Sequence, residues 1–171
     1  MVEIPGLVPD YLSHGLRIVF VGFNPSLRSG ETGHHFANPS NRFWRILYEA
    51  GLTPRIYSPE EDHLLLQLGY GLTNIVPCPT RAAADIMPEE YVGGRQLLSQ
   101  KLKHYRPLTV CYVGKGVYQA YSQRTRAPWG YQPFDVIDGA RDFVAPSSSG
   151  LVRMKTSEIV AIYRQLFTAG S

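Results

Sequence analysis

Two stretches of this chain concentrate side chains that hydrogen-bond or stack. The first runs Gly22-Phe23-Asn24-Pro25-Ser26, continues through Gly33-His34-His35-Phe36 and closes with Asn38-Pro39-Ser40-Asn41-Arg42-Phe43-Trp44. The second is Pro146-Ser147-Ser148-Ser149-Gly150-Leu151-Val152-Arg153. Amides orient water or pair with polar edges, but a neutral amide has no useful basicity and cannot act as a general base. The Gly22–Ser26 motif contains no carboxylate. Ordering a loop so rich in Gly, Pro, Asn and His costs conformational entropy, which argues against a bland connector. Read singly by spacing, the first stretch is better taken as a turn with helix caps, and the second as a serine loop between strand and helix.

The elements that must position these stretches follow from hydrophobic patterning. Leu16–Val21 is a continuous, branched apolar run ending at Gly22, which predicts a strand buried on both faces. Leu108–Val113, before Gly114, predicts another, and Leu72–Val76 a shorter one. Asn41–Ala50 places Phe43, Ile46, Leu47 and Ala50 at helical spacing, with Ser40 as N-cap and Gly51 past the end. Pro88 opens a helix to about His104, Lys115–Ser122 is a short helix, and Thr156–Phe167 carries one stripe of Ile159, Ile162, Tyr163, Leu166 and Phe167. Asp138-Gly139 predicts a hairpin turn joining Phe134–Ile137 to Asp142–Ala145. Strands alternating with helices give an α/β fold whose parallel or mixed sheet is covered on both faces. Ligands of such sheets sit beyond the carboxyl ends of the strands, and both unusual stretches leave strands there.

The 171 residues suit one domain, with residues 1–14 as an N-terminal extension. The apolar runs are only strand-length, and the start of the chain lacks a basic segment followed by an apolar one, so neither a membrane span nor a secretory signal is expected. A cytoplasmic, nucleoid-associated location follows. The formal charge of +3 is a mild bias toward a polyanionic partner. Cys78 and Cys111 are too few for an iron–sulfur cluster and wrongly spaced for zinc; both read as small buried thiols. No metal and no cofactor is expected.

Gly22-Phe23-Asn24-Pro25, Gly33-His34-His35-Phe36, Asn41-Arg42-Phe43-Trp44 and Pro146-Ser147-Ser148-Ser149-Gly150-Leu151 occur in that order. Together they resemble the mismatch-specific uracil and thymine DNA glycosylase family. The resemblance extends from about Leu16 to Leu166 through Gly71-Leu72-Thr73-Asn74, Gly93-Gly94-Arg95 and Tyr105-Arg106-Pro107. It implies a three-layer α/β/α sandwich around a short, largely parallel sheet, in agreement with the pattern above. It implies a monofunctional enzyme that flips uracil from a G·U mismatch in double-stranded DNA, hydrolyses its N-glycosidic bond and leaves an abasic site. By the same resemblance Asn24 holds the attacking water, Phe36 stacks on the flipped base, and the Phe23 backbone and Asn74 read its edge. Ser26 and Ser29 line the base pocket. Ser147, Ser148 and Ser149 grip phosphates, Leu151 fills the vacated gap, and Gly150 and Arg153 lie near the orphaned guanine. A monomer acting on duplex DNA is expected.

The family usually carries glycine at the position of Ser26, so base choice is where this chain is expected to differ; uracil is expected ahead of thymine. His34 and His35 touch phosphate, shape the pocket or pack the loop. Asp85 is a loop or helix-start carboxylate, with an auxiliary place near the sugar as the alternative. Gly114-Lys115-Gly116 is an incomplete phosphate-loop pattern. Phe43 and Trp44 are expected in the core, and Trp129 has no assigned role. Three other readings compete: a glycosylase for deaminated purines such as hypoxanthine or xanthine, a mismatch-binding module without catalysis, and a free-nucleoside hydrolase.

Overall fold

The buried strand β1 (Ile18–Gly22) sorts its side chains onto two faces, and each face has its own core. Ile18 and Phe20 enter one cluster, Val19 and Val21 the other. This alternation is what a period of two imposes on a strand covered on both sides. In this computed structural model, which describes residues 7–169, β1 is followed by α1 (Leu27–Thr32), α2 (Phe43–Glu49) and a 3-10 segment (Pro59–Leu68). Then come β2 (Tyr70–Asn74), a short 3-10 turn (Ala83–Asp85), α3 (Pro88–Tyr105), β3 (Thr109–Val113) and α4 (Lys115–Ser122). The chain closes with β4 (Gly130–Tyr131), β5 (Arg141–Ala145) and α5 (Thr156–Ala169).

The sheet order is β2-β1-β3-β5-β4. All pairings are parallel except β4 with β5. On one face, Phe43, Ile46 and Leu47 of α2 and Ile159, Tyr163 and Leu166 of α5 pack against Phe20, Cys111 and Phe143. On the other, Leu98 and Leu102 of α3 and Val117, Tyr118 and Tyr121 of α4 pack against Val21, Val110, Tyr112 and Val144. The result is the three-layer α/β/α sandwich with a short, largely parallel sheet. The chain steps from β1 outward to β2, then crosses back over β1 to β3. That reversal leaves a crevice at the carboxyl ends of the strands, where loops from both sides meet.

Several expectations need correction. The hairpin partner of β5 is Gly130–Tyr131, not Phe134–Ile137. The latter segment is irregular because Asp142 recruits it by side-chain bonding: the Val136 N–H donates to Asp142 Oδ2 at 2.8 Å, and Asp135 Oδ1 accepts from Asp142 N. Gly139 still turns the chain, at φ 89°. Ser40 does not cap α2. Its N–H and hydroxyl both donate to Asn38 Oδ1, while Asn41 Oδ1 accepts from Phe43 N. Cys78 is exposed, and only Cys111 is buried. Of the expected N-terminal extension, residues 1–6 lie outside the described residues. Tyr11 is no loose extension: it exchanges two backbone hydrogen bonds of 2.9 Å with Leu72 along the outer edge of β2.

Candidate active-site cleft

A cleft of about 290 Å³ lies at the carboxyl ends of the strands. The loop after β1, the end of β2 and the loop after β5 all contribute to its walls. Gly22 sits at its base. A Cβ built there would stand 2.7 Å from Asn74 Oδ1 and 3.8 Å from the Phe36 ring. Only glycine lets the end of β1 approach both groups so closely.

Asn24 follows directly. Its Nδ2 donates to the Cys78 carbonyl at 2.7 Å and to Thr80 Oγ1 at 2.9 Å. Thr80 spends its own hydroxyl proton on the Ala82 carbonyl, so both atoms facing the Asn24 amide are acceptors. The amide orientation is thereby fixed, and Oδ1 is the polar atom left to the cleft that Asn24 lines. Thr80 is itself anchored, since its N–H donates to the Pro25 carbonyl.

Phe36 lines the cleft with φ at 50°, a left-handed conformation that costs a residue with a side chain about 1–2 kcal/mol. Its ring stacks on Phe43 with centroids 3.9 Å apart and planes 15° from parallel, which offsets part of that strain. One aromatic face is therefore occupied by the core. Asn74 ends β2 in the same cleft, and its amide has no hydrogen-bond partner among the described residues. Ser26 caps α1, accepting from Ser29 N at 3.1 Å. At φ −67° it needs no glycine, and its hydroxyl gives the helix a cap that glycine lacks. Ser29, 2% exposed, accepts from Ser26 Oγ and from Ala37 N, so its own proton remains available at the cleft wall.

His35 also lines the cleft. Burial lowers its pKa and keeps the imidazole neutral. The Pro9 carbonyl, 2.7 Å from Nε2, is only an acceptor, so Nε2 carries the proton and Nδ1 the lone pair. Buried Asp62 explains the histidine pair: Oδ2 accepts from His35 N at 2.9 Å, and Oδ1 lies 3.3 Å from His34 Nδ1. These contacts pack the loop onto the protein.

The opposite wall is the 146–153 loop. Ser149, Gly150 and Leu151 line the cleft. Leu151 is 94% exposed, an extreme for an apolar side chain, while Ser149 Oγ accepts from its N–H. Arg42, missed by the sequence reading, holds this loop. Its Nη1 donates to the Met154 carbonyl and Thr156 Oγ1, its Nη2 to the carbonyls of Ser149 and Val152, and its backbone N–H to the Ser148 carbonyl. Gly150 rests on Ser40, where a Cβ would come within 2.7 Å of the Ser40 carbonyl.

Not every expected residue joins the cleft. The Phe23 ring packs into the other core near Tyr91, and its carbonyl accepts from Val76 N, so Phe23 lines no part of the cavity. Ser148 is 1% exposed and turned inward, away from a phosphate. Ser147 sits outside the cavity against Gly114, its hydroxyl accepting from Ser149 N. Arg153 is exposed but outside the lining. Asp85 caps its own turn through Ala82 N. Lys115 lies over the Trp129 ring, 4.4 Å from its centroid. Asn41, which stands in a recognised motif but was given no role, and Arg81, which was not anticipated, also line the cleft.

Comparison with known families matches residues 9–167 to the uracil DNA glycosylase superfamily. The chain belongs to the uracil DNA glycosylase superfamily. Its fold is similar to that of a candidate uracil DNA glycosylase from Methanosarcina acetivorans, solved by solution NMR. The TM-score is 0.57 at 20% identity, covering 94% of this chain and 97% of that one. Membership in the superfamily assigns DNA glycosylase activity and a DNA substrate. Among the described residues no helix is long and apolar enough to cross a membrane.

Proposed function

We propose that the protein is a monofunctional glycosylase that excises uracil, above all from G·U mismatches, after flipping it from the duplex into the cleft. The observation carrying this reading is the convergence of Asn24, Phe36 and Asn74 with the exposed Leu151 on one crevice. A base in a duplex hides its glycosidic bond, and extrusion costs a few kcal/mol, least at a mismatch. Leu151 would fill the gap and partly offset the lost stacking. Phe36, backed by Phe43, offers an aromatic surface worth about 1–3 kcal/mol to a stacked base. The Asn74 amide, without a hydrogen-bond partner among the described residues, and the Ser29 hydroxyl would meet polar edges of the pyrimidine.

In the chemical step the C1′–N1 bond breaks and the base departs as an anion. Water then adds its oxygen to the cationic sugar carbon and loses a proton to solvent. Asn24 Oδ1 would accept a hydrogen bond from that water and place it. It has no basicity, so the acceleration would come from positioning and from hydrogen bonds to the departing base. Action as a monomer in a single domain belongs to the same proposal.

The test is alkaline cleavage of a labelled duplex carrying uracil opposite guanine, with wild type and Asn24→Ala side by side. Cleavage by the wild type, reduced at least a hundred-fold in the variant, is expected. Binding without abasic sites would make the protein a mismatch-binding module instead. Duplexes with thymine, ethenocytosine, hypoxanthine and xanthine in place of uracil rank the substrate.

A further inference from the structure

We propose that Arg81 takes a backbone phosphate of the target strand at the mouth of the cleft. Of the residues lining the cavity, Arg81 is the one Asp, Glu, Lys or Arg. The other titratable side chain there, His35, has its pKa lowered by burial, which outweighs the opposing pull of the Pro9 carbonyl on its ring N–H. Arg81 is exposed and has no ion pair or hydrogen bond among the described residues. The cleft therefore presents one side chain of fixed positive charge, and no carboxylate among the described residues pairs with it.

Its backbone is nonetheless well placed. The neighbouring Thr80 bonds the Asn24 amide at 2.9 Å, donates its N–H to the Pro25 carbonyl at 3.2 Å and bridges to Ser26. Carried one residue after the Asn24 partner Thr80, the guanidinium would stand on the side of the sugar, whereas the base would lie deeper, between Phe36 and Asn74. The Ser149–Leu151 wall across the cleft offers only hydroxyls, N–H groups and an apolar tip. A nucleotide rotated into the cavity drags its flanking phosphates to the rim, into a low-charge surround. A fork of guanidinium donors matches phosphate oxygens there. This assignment rests on the proposed duplex-DNA substrate and adds to it the residue that would hold the strand beside the reacting sugar.

The experiment uses fluorescence anisotropy with a labelled duplex bearing non-hydrolysable 2′-fluoro-deoxyuridine opposite guanine, titrated at several salt concentrations. Wild type, Arg81→Gln and Arg81→Lys are compared, and single-turnover cleavage of the ordinary uracil duplex is run in parallel. Arg81→Gln is expected to bind about ten-fold more weakly at low salt. Its log–log salt slope should fall by about 0.9, the signature of one lost phosphate contact. Arg81→Lys should restore the slope and part of the affinity. Half-maximal cleavage should demand correspondingly more Arg81→Gln enzyme.

Unchanged affinity and slope in Arg81→Gln, with wild type cleaving uracil, would overturn this assignment alone. A lower cleavage rate at saturating enzyme with an unaltered slope would also overturn it, and would point the guanidinium at the departing base. An Arg81-dependent slope with no cleavage by any form would leave the assignment standing and overturn the catalytic reading.

Discussion

The two walls of the cleft are built on opposite plans. The wall at the ends of β1 and β2 is assembled from groups whose positions are fixed several times over. Asn24 is held by two acceptors, Phe36 by a stacked ring, and Gly22 by the space left between Asn74 and Phe36. The wall after β5 is a loop whose tip, Leu151, has almost no protein around it, although its base is tied down through Arg42. An exposed leucine on a restrained loop gains nothing for the folded chain by itself. The first wall is held by its own contacts, whereas the tip of the second is left to solvent, as the proposed wedge role requires.

Perturbing each wall should therefore fail differently. Gly22→Ala attacks the first: the new Cβ must displace the Asn74 amide, a movable side chain, so the fold should tolerate it while single-turnover cleavage falls about a hundred-fold. Retained activity would mean that Asn74 does not meet the base. Leu151→Ala attacks the second, and about a ten-fold loss is expected on G·U duplex, with none on single-stranded uracil DNA. Equal losses on both substrates would remove the wedge role. Arg42→Lys keeps the charge but cannot reach all the acceptors of the loop. A loss of several-fold, again confined to duplex, is expected, together with a modest fall in Tm.

The smallest effect on the cleft should come from Asp142→Asn, on the strand that feeds the loop. Burial raises the Asp142 pKa to about 6, above its ordinary value of 3.8. A carboxyl raised on folding is stabilising when protonated, and that stability is lost as pH rises through the folded-state value. Wild type should thus lose about 1.4 kcal/mol more than Asp142→Asn between about pH 5 and pH 8 in urea unfolding, with cleavage unaffected. Parallel pH curves for the two proteins would place the titration elsewhere.

Layer architecture was legible in the sequence because β1 and β3 are continuous apolar runs and α5 carries an unbroken stripe. Those signals are local and survive any tertiary arrangement. The partner of β5 was not legible, since Asp142 captures Val136 N by a contact that no periodicity encodes. In the cleft, Asn24, Phe36, Asn74 and Leu151 were recognisable through ordered motifs and do share one cavity. Ser148 sits between motif residues in sequence but is buried, because alternation along an extended chain sends neighbours to opposite sides. Arg42 was invisible for a different reason: its partners lie more than a hundred residues downstream and are mostly backbone carbonyls, which have no sequence identity.

The reciprocal Tyr11–Leu72 pair bears on strand addition at the edge of the sheet. An open sheet offers two unpaired margins, each a template onto which another molecule's strand can add. One margin is occupied by the chain's own Tyr11, and the other ends in a strand of only two residues, Gly130–Tyr131. Removing the segment around Tyr11 would uncover the outer edge of β2 and should raise the tendency to form fibrils, besides freeing His35 from the Pro9 carbonyl.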